Sequence, residues 1–347
     1  MIISNFASQL KNPVFLILFF IILGIVFVNG YTDASHSIVN SLSARTLSID
    51  HSIYIVTIFN FLGVLMITPL APTVVRTIYR MFSFGEDPKQ ALVGITAALI
   101  SIVIWSLTCL ILGIVASESH SLIAGLTGAA LAISPGLSGI NLSQWIKVFF
   151  GLILSTLVSF VIGYLIVEII KSLCQYSDRR KTKRYFGWGQ IMGTGLVAFL
   201  HGAQDGQKFI AVFLMAMSYV DHFNDGTSLS YLSVVIFIVA IFLGIGTFTG
   251  GHVIVKSFGF DLLKLENFEG FAGDLASIIS LIIALIFGLP VSTTHTSTTA
   301  IMGVGASKRL SNVNWSYVRK MGLSWILVFP GCGLLAFLIT KILIHWI

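Results

Sequence analysis

Two short polar patterns recur along the chain, and both are made of residues that handle ions. Gly30-Tyr31-Thr32-Asp33 returns as Gly202-Ala203-Gln204-Asp205, 172 residues later. Ser117-Glu118-Ser119-His120 returns as Ser292-Thr293-Thr294-His295, 175 residues later. An aspartate set in apolar sequence costs roughly 3 kcal/mol or more unless it has a partner. Asp33 and Asp205, with Asn29 beside the first, are suited to a coupling ion: hard oxygen for Na⁺, or an acceptor for a proton. The hydroxyl run behind Pro290 has the form of a helix start, because proline suits the first turn and serine or threonine caps free amide groups. Helix starts carry about half a positive charge and unpaired N–H donors, so they bind oxyanions without a full cation. Two such starts, bearing Ser117 and Ser119, and Ser292, Thr293 and Thr294, would surround a tetrahedral anion with hydroxyls and amides. A single hydroxyl run in a membrane helix commonly just bonds its own backbone or lets helices approach. Duplication, ending each time in histidine, favours a site.

Neighbouring residues extend the set. Lys208, one turn after Asp205, can pair with that aspartate or help hold an anion, and Gln204 offers an amide to the same substrate position. Glu118 joins the coupling-ion group as a carboxylate inside a hydroxyl run. His120 and His295 support the runs, orienting them without contacting a bound ion. His201 and His36 flank the aspartates, whereas His51, His222 and His345 read as loop or interface residues. Cys109, Cys174 and Cys332 are odd in number and far apart, which indicates neither a disulfide framework nor a zinc site. No metal site and no covalent cofactor are expected, only a co-transported H⁺ or Na⁺.

Composition defines the elements that must position these residues. The chain has 347 residues, of which 56% are hydrophobic and 10% charged, with a mean hydropathy of +0.96. Soluble chains carry about 25% charged residues, so this is an integral membrane protein embedded in a lipid bilayer. Apolar stretches near residues 13–29, 53–70, 91–115, 146–170, 187–200, 231–249, 270–289 and 321–347 mostly approach the roughly 20 residues that span a bilayer as helix. The alternating pattern of a barrel is absent, which leaves helices. The first stretch follows only Lys11 and lacks a small-residue cleavage site, so it reads as a retained span.

The formal net charge of +6 is informative by position. Residues 171–184 hold six of the twenty basic residues against Asp178 alone. Between two membrane halves, that run reads as a cytoplasmic hinge rather than a nucleic-acid surface. Arg76, Arg80 and Lys89, and then Lys308, Arg309, Arg319 and Lys320, are expected on the same side of the cell membrane. A third echo, Phe61-Leu62-Gly63-Val64 with Phe242-Leu243-Gly244-Ile245, lies 181 residues apart and keeps the order of the other two. The expected fold is an all-α polytopic membrane protein of two inverted repeats. Each repeat would contain a re-entrant helical hairpin, at 116–135 and 290–306, and a helix interrupted at its polar pattern, at 29–33 and 201–205. Residues 1–170 form the N-terminal repeat, 171–186 the basic linker and 187–347 the C-terminal repeat.

With these residues in view, the chain resembles the inorganic phosphate transporter (PiT) family over nearly its whole length. Val28-Asn29-Gly30-Tyr31-Thr32-Asp33 is similar to the family's first signature. His201-Gly202-Ala203-Gln204-Asp205-Gly206-Gln207-Lys208 resembles its second, and Gly288-Leu289-Pro290-Val291-Ser292-Thr293-Thr294-His295 its hairpin signature. The resemblance implies cation-coupled uptake of inorganic phosphate and frequent homodimers, with hairpin hydroxyls on phosphate and signature aspartates on the coupling ion. Three positions depart from the family pattern. Gln204 stands for asparagine, His36 for a downstream asparagine, and Glu118 for serine or threonine. An ionised Glu118 would repel a phosphate dianion by several kcal/mol at low effective dielectric. It must therefore carry a proton during binding, pair with a cation such as Lys208, or point away.

Three other functions compete with phosphate import, which would take phosphate alone or as metal-phosphate. A permease for sulfate or another tetrahedral oxyanion would share the architecture, but sulfate carries no proton near neutral pH and has no use for an acceptor such as Glu118. An intramembrane metal hydrolase would need a helical His-Glu-x-x-His, which the chain lacks. A transport-dead sensor would draw on the changes at Glu118, Gln204 and His36.

Overall fold

A computed structural model describes residues 13–33, 37–38, 41–42, 44, 46–112, 117–221, 228–258, 265–313 and 315–346. His36, Arg45 and His222 lie outside these. The described chain is helical: α1 Pro13–Thr32, α2 Ile49–Leu70, α3 Thr73–Tyr79, α4 Pro88–Leu112, α5 Glu118–Ile133, α6 Leu142–Ile153, α7 Ser159–Cys174, α8 Arg179–Asp221, α9 Ser228–Phe258, α10 Asn267–Phe287, α11 Thr293–Lys308 and α12 Trp315–His345. A single π turn, Leu154–Val158, joins α6 to α7 without a break. Among the described residues, seven helical segments are long and apolar enough to cross a membrane. The protein is an all-α, multi-pass membrane protein.

Local sequence sets the helix limits. Ser48 caps α2 by accepting a bond from the His51 amide, so His51 serves a surface cap. Glu266 and Glu269 form a reciprocal capping box at the start of α10. That helix stops at Gly288, whose φ of 62° is the left-handed conformation glycine tolerates best. The chain then turns through Leu289-Pro290-Val291 directly into α11.

Helices pack reciprocally between the two halves. α1 lies against α9 and α8 against α2; α5 lies against α12 and α11 against α7; α4 touches α5 and α12 as α10 touches α11 and α7. Glycines allow the closest approaches. A Cβ at Gly30 would collide with the Leu243 carbonyl, and one at Gly202 with the Asn60 carbonyl. Gly246 likewise meets the Phe27 carbonyl, and Gly63 that of Phe199. The pairs repeat through the duplication: 27 and 30 match 199 and 202, while 60 and 63 match 243 and 246. The sequence echo had set Gly63 beside Gly244; packing pairs it with Gly246, two residues further on.

The second expected helix interruption is absent. Residues 201–205 lie within α8, an unbroken helix of 43 residues, in which every residue from 201 to 213 is buried. A helix buried on all sides needs no lipid-facing stripe, and its polar residues face other helices. Gly202 and Gly206 permit close packing there, against Asn60 and the Val64 side chain, rather than a break. In the first half, α1 does end at the pattern, and the Asp33 amide closes the last turn on the Asn29 carbonyl at 2.9 Å. The expected hairpins are single short helices, α5 and α11, each of 16 residues. At about 1.5 Å per residue each is too short to cross a 30 Å core. For α11 the returning limb is the long helix α10. The basic stretch 171–186 is largely helical, formed by the end of α7 and the start of α8 around a turn at 175–178.

Candidate functional site

The starts of α5 and α11 meet at the middle of α8. Ser117 and Ser292 cap them identically: each side-chain oxygen accepts from the amide three residues on, that of His120 at 3.4 Å and of His295 at 3.3 Å. Ser121 and Thr296 each return a hydroxyl bond to the capping residue's carbonyl, at 3.0 and 2.8 Å. The His120 and His295 rings lie 5.2 Å apart. The duplicated hydroxyl runs are thus one place in space, with their free amides and partial positive charge converging.

Lys208 fastens this meeting point to α8. Its ammonium donates to Asp205 Oδ1 at 2.5 Å, to Ser119 Oγ at 2.6 Å and to the Val291 carbonyl at 2.5 Å. It is 1% exposed, and an ammonium has three N–H donors, so all of them are committed to protein oxygens. The other Asp205 oxygen accepts from Asn29 Nδ2 at 3.2 Å and has His201 Nε2 at 3.6 Å. Asn29 Nδ2 also reaches Asp33 Oδ2 at 3.5 Å. The two aspartates are therefore bridged by a single amide across the halves.

Glu118 does not pair with Lys208. Its Oε1 accepts from the Thr32 hydroxyl at 2.8 Å, while its buried Oε2 has no hydrogen-bond partner among the described residues. Other buried polar atoms of the site lack one too, among them Asn29 Oδ1, both amide atoms of Gln204, the hydroxyls of Thr293 and Thr294, and both ring nitrogens of His120. Leaving a buried polar group unpaired costs about 1–3 kcal/mol. Several such groups on α5, α8 and α11 make a site suited to a polar ligand. A small cavity beside them is lined by Asp33, Ser37, Val197, His201, Thr293, Thr294 and Ser297.

The site gathers Asn29, Asp33, Ser117, Glu118, Ser119, His120, Gln204, Asp205, Lys208, Ser292, Thr293, Thr294 and His295, which lie some 265 positions apart along the chain at the extremes, roughly 900 Å if extended. Ser117 and Ser292 face it as caps, and Gln204, Thr293 and Thr294 as open donors and acceptors. His295 is held by Trp325, whose indole N–H donates to Nε2 at 3.2 Å. Gln207 serves structure instead: its Oε1 accepts from the Val74 and Val75 amides at 3.0 and 3.3 Å, fixing the start of α3. Sequence reasoning missed Thr32, Ser37, Ser297 and Trp325. Thr32 sits inside the first polar pattern and could have been found there; nothing near Trp325 signals its role.

Known proteins share this sequence and fold. A sequence profile described as the phosphate transporter family matches residues 29–336. The chain is 32% identical over 304 residues to the "Probable low-affinity inorganic phosphate transporter" of Bacillus subtilis (strain 168), covering 88% of this chain and 89% of that one. The protein of the same description from Rhizobium meliloti (strain 1021) is 31% identical over 313 residues, covering 89% and 90%. A solved structure described as "The sodium-dependent phosphate transporter" superposes with a TM-score of 0.84 at 20% identity, covering 96% of this chain and all of that one.

Proposed function

Because the chain belongs to the phosphate transporter family, we propose that it imports inorganic phosphate across the cell membrane as a cation-coupled symporter. One observation carries this reading: two capped helix starts converge on buried, unpartnered hydroxyls and an amide, beside carboxylates that outnumber the local ammonium. Ser117, Ser119, Ser292, Thr293, Thr294 and Gln204 would hold phosphate by N–H and O–H donation, with Lys208 supporting Ser119. Asp33, Glu118, Asp205 and Asn29 would serve the coupling ion, H⁺ or Na⁺.

Charge supports the coupling. Three buried carboxylates, Asp33, Glu118 and Asp205, face one ammonium, Lys208, which leaves two negative charges in excess when all are ionised. A phosphate dianion entering such a site unaccompanied meets strong repulsion in a low-dielectric interior. Protons or metal cations entering with it remove that repulsion, so anion and cation bind better together than apart. Phosphate entering as a metal-phosphate would follow the same logic. Glu118 Oε2 is an open acceptor, which suits a protonated phosphate oxygen and has no match on sulfate. We further place residues 171–186 in the cytoplasm, and assign a homodimer on the family resemblance.

Purified protein in proteoliposomes tests the reading, with sodium and pH gradients imposed separately. Labelled phosphate should accumulate under one of them, and excess sulfate should compete weakly. Absence of uptake under both gradients, or equal competition by sulfate, rejects phosphate symport.

A further inference from the structure

Three oxygens of different kinds enclose the Lys208 ammonium. A carboxylate oxygen from α8, a hydroxyl from α5 and a backbone carbonyl ahead of α11 all lie 2.5–2.6 Å from Nζ. Carboxylate, hydroxyl and carbonyl are the hard donors that alkali cations take, and such sites in transporters pair carboxylates with exposed carbonyls. The ligands come from three separate elements, so whatever occupies the centre joins both helix starts to α8. We propose that the Lys208 ammonium is a tethered cation, permanently filling an oxygen cage that accepts a monovalent metal ion once the lysine is removed.

Such an arrangement has a defined charge consequence. A tethered cation neutralises Asp205 in every step of the cycle and cannot be released with the cargo. Within the coupling-ion group, Asp33 and Glu118 then carry the exchange of the mobile cation, Asp205, the lysine's anchor, serving it indirectly through Asn29, and the cage itself needs no sodium. The inference rests on the reading of the chain as a phosphate carrier, but its decisive readout does not require transport.

The test compares wild type, Lys208→Ala and Lys208→Met in detergent and in proteoliposomes, with NaCl replaced by choline chloride at constant ionic strength. Alanine opens the cage, whereas methionine keeps it filled with an uncharged chain of similar length. Wild type sets the baseline, including any sodium effect from the coupling-ion site. Lys208→Ala should gain a sodium-specific rise in melting temperature, as expected for a ligand that binds only the folded state, and Lys208→Met should not. In proteoliposomes, phosphate uptake by Lys208→Ala should rise about fivefold or more with sodium, within the usual range of coupling between two ligands. A folded Lys208→Ala whose sodium-specific rise is no larger than that of wild type overturns the proposal, as does an equal extra rise in Lys208→Met. Lys208→Ala recovered intact only with sodium present supports it; loss of that variant in both salts overturns it. Failure of wild type to carry phosphate would reject the transport reading alone, leaving the melting result to judge the cage.

Discussion

Glu118 and Thr293 occupy matching places at the two helix starts, one an acid and the other an alcohol. The acid is closed against Thr32 at 2.8 Å, whereas the side chains of Thr293 and Gln204, the counterparts of Glu118 and Thr32, make no hydrogen bond among the described residues. Anion recognition should therefore fall mainly on the second-half start, and proton handling on the first. Gln204→Leu is expected to raise the half-saturation concentration for phosphate about 10- to 100-fold, because a hydrogen bond to a charged group contributes about 1.5–3 kcal/mol. The same variant should melt at or above the wild-type temperature, since it removes an unpaired buried amide. Glu118→Gln keeps a partner for Thr32 but cannot bind and release a proton. Its uptake driven by a pH gradient should fall by about tenfold or more, equivalent to about 1.4 kcal/mol, while exchange of internal for external phosphate persists. Equal loss of both modes would remove Glu118 from proton coupling. These residues were legible because polar groups in apolar sequence need a reason, and because each appeared twice. The Thr32–Glu118 and Trp325–His295 bonds were not, since 86 and 30 residues separate the partners and no local pattern links them.

At the scale of elements, glycine decides how closely helices approach. Gly246 sits where a Cβ would run into the Phe27 carbonyl, whereas nothing lies within 4 Å of a Cβ at Gly24. Gly246→Ala should lower the melting temperature and the uptake rate, since α1 and α9 must part to admit the methyl group. Gly24→Ala should leave both unchanged or raise stability slightly, alanine being favoured over glycine in a helix by about 1 kcal/mol. Thermal unfolding in detergent measures both, and equal melting temperatures would discount the close approach. The same physics explains what the sequence concealed. Gly202, Asp205 and Gly206 read as a helix break because glycine and buried charge disfavour an isolated helix. Within a packed bundle, the glycines admit neighbours and the aspartate has its ammonium, so α8 continues. Helical class and seven of the eight apolar stretches were readable from hydropathy; the eighth, 187–200, is part of α8, whose continuity depended on neighbours that hydropathy does not record.

Across the whole molecule, reciprocal packing places each half's short helix against a membrane-length span of the other, α5 on α12 and α11 on α7, which continues α6 through the π turn. The two starts meet at their tips, at the His120–His295 ring pair and around Lys208. If transport separates the halves there, holding the tips together must stop it. In a variant with Cys109, Cys174 and Cys332 replaced by serine, cysteines at positions 120 and 295 joined by a short bifunctional thiol reagent should reduce uptake at least about tenfold, a change of about 1.4 kcal/mol in the limiting barrier. A reducible reagent should allow recovery on cleavage. Undiminished uptake after complete cross-linking would mean that the tips travel as one body.

The uninterrupted α8 has a mechanical corollary. At about 1.5 Å per residue, its 43 residues form a rod of roughly 65 Å, twice the thickness of the hydrocarbon layer. Asp205 and Lys208 lie near its midpoint, and Arg179, Arg180, Lys181, Lys183 and Arg184 load one end with positive charge. A stiff bar gripped at its centre pivots there: torque on the charged end, from anionic lipid or a bound protein, would swing the far end the opposite way and twist the Asp205–Lys208 pair at the pivot in place.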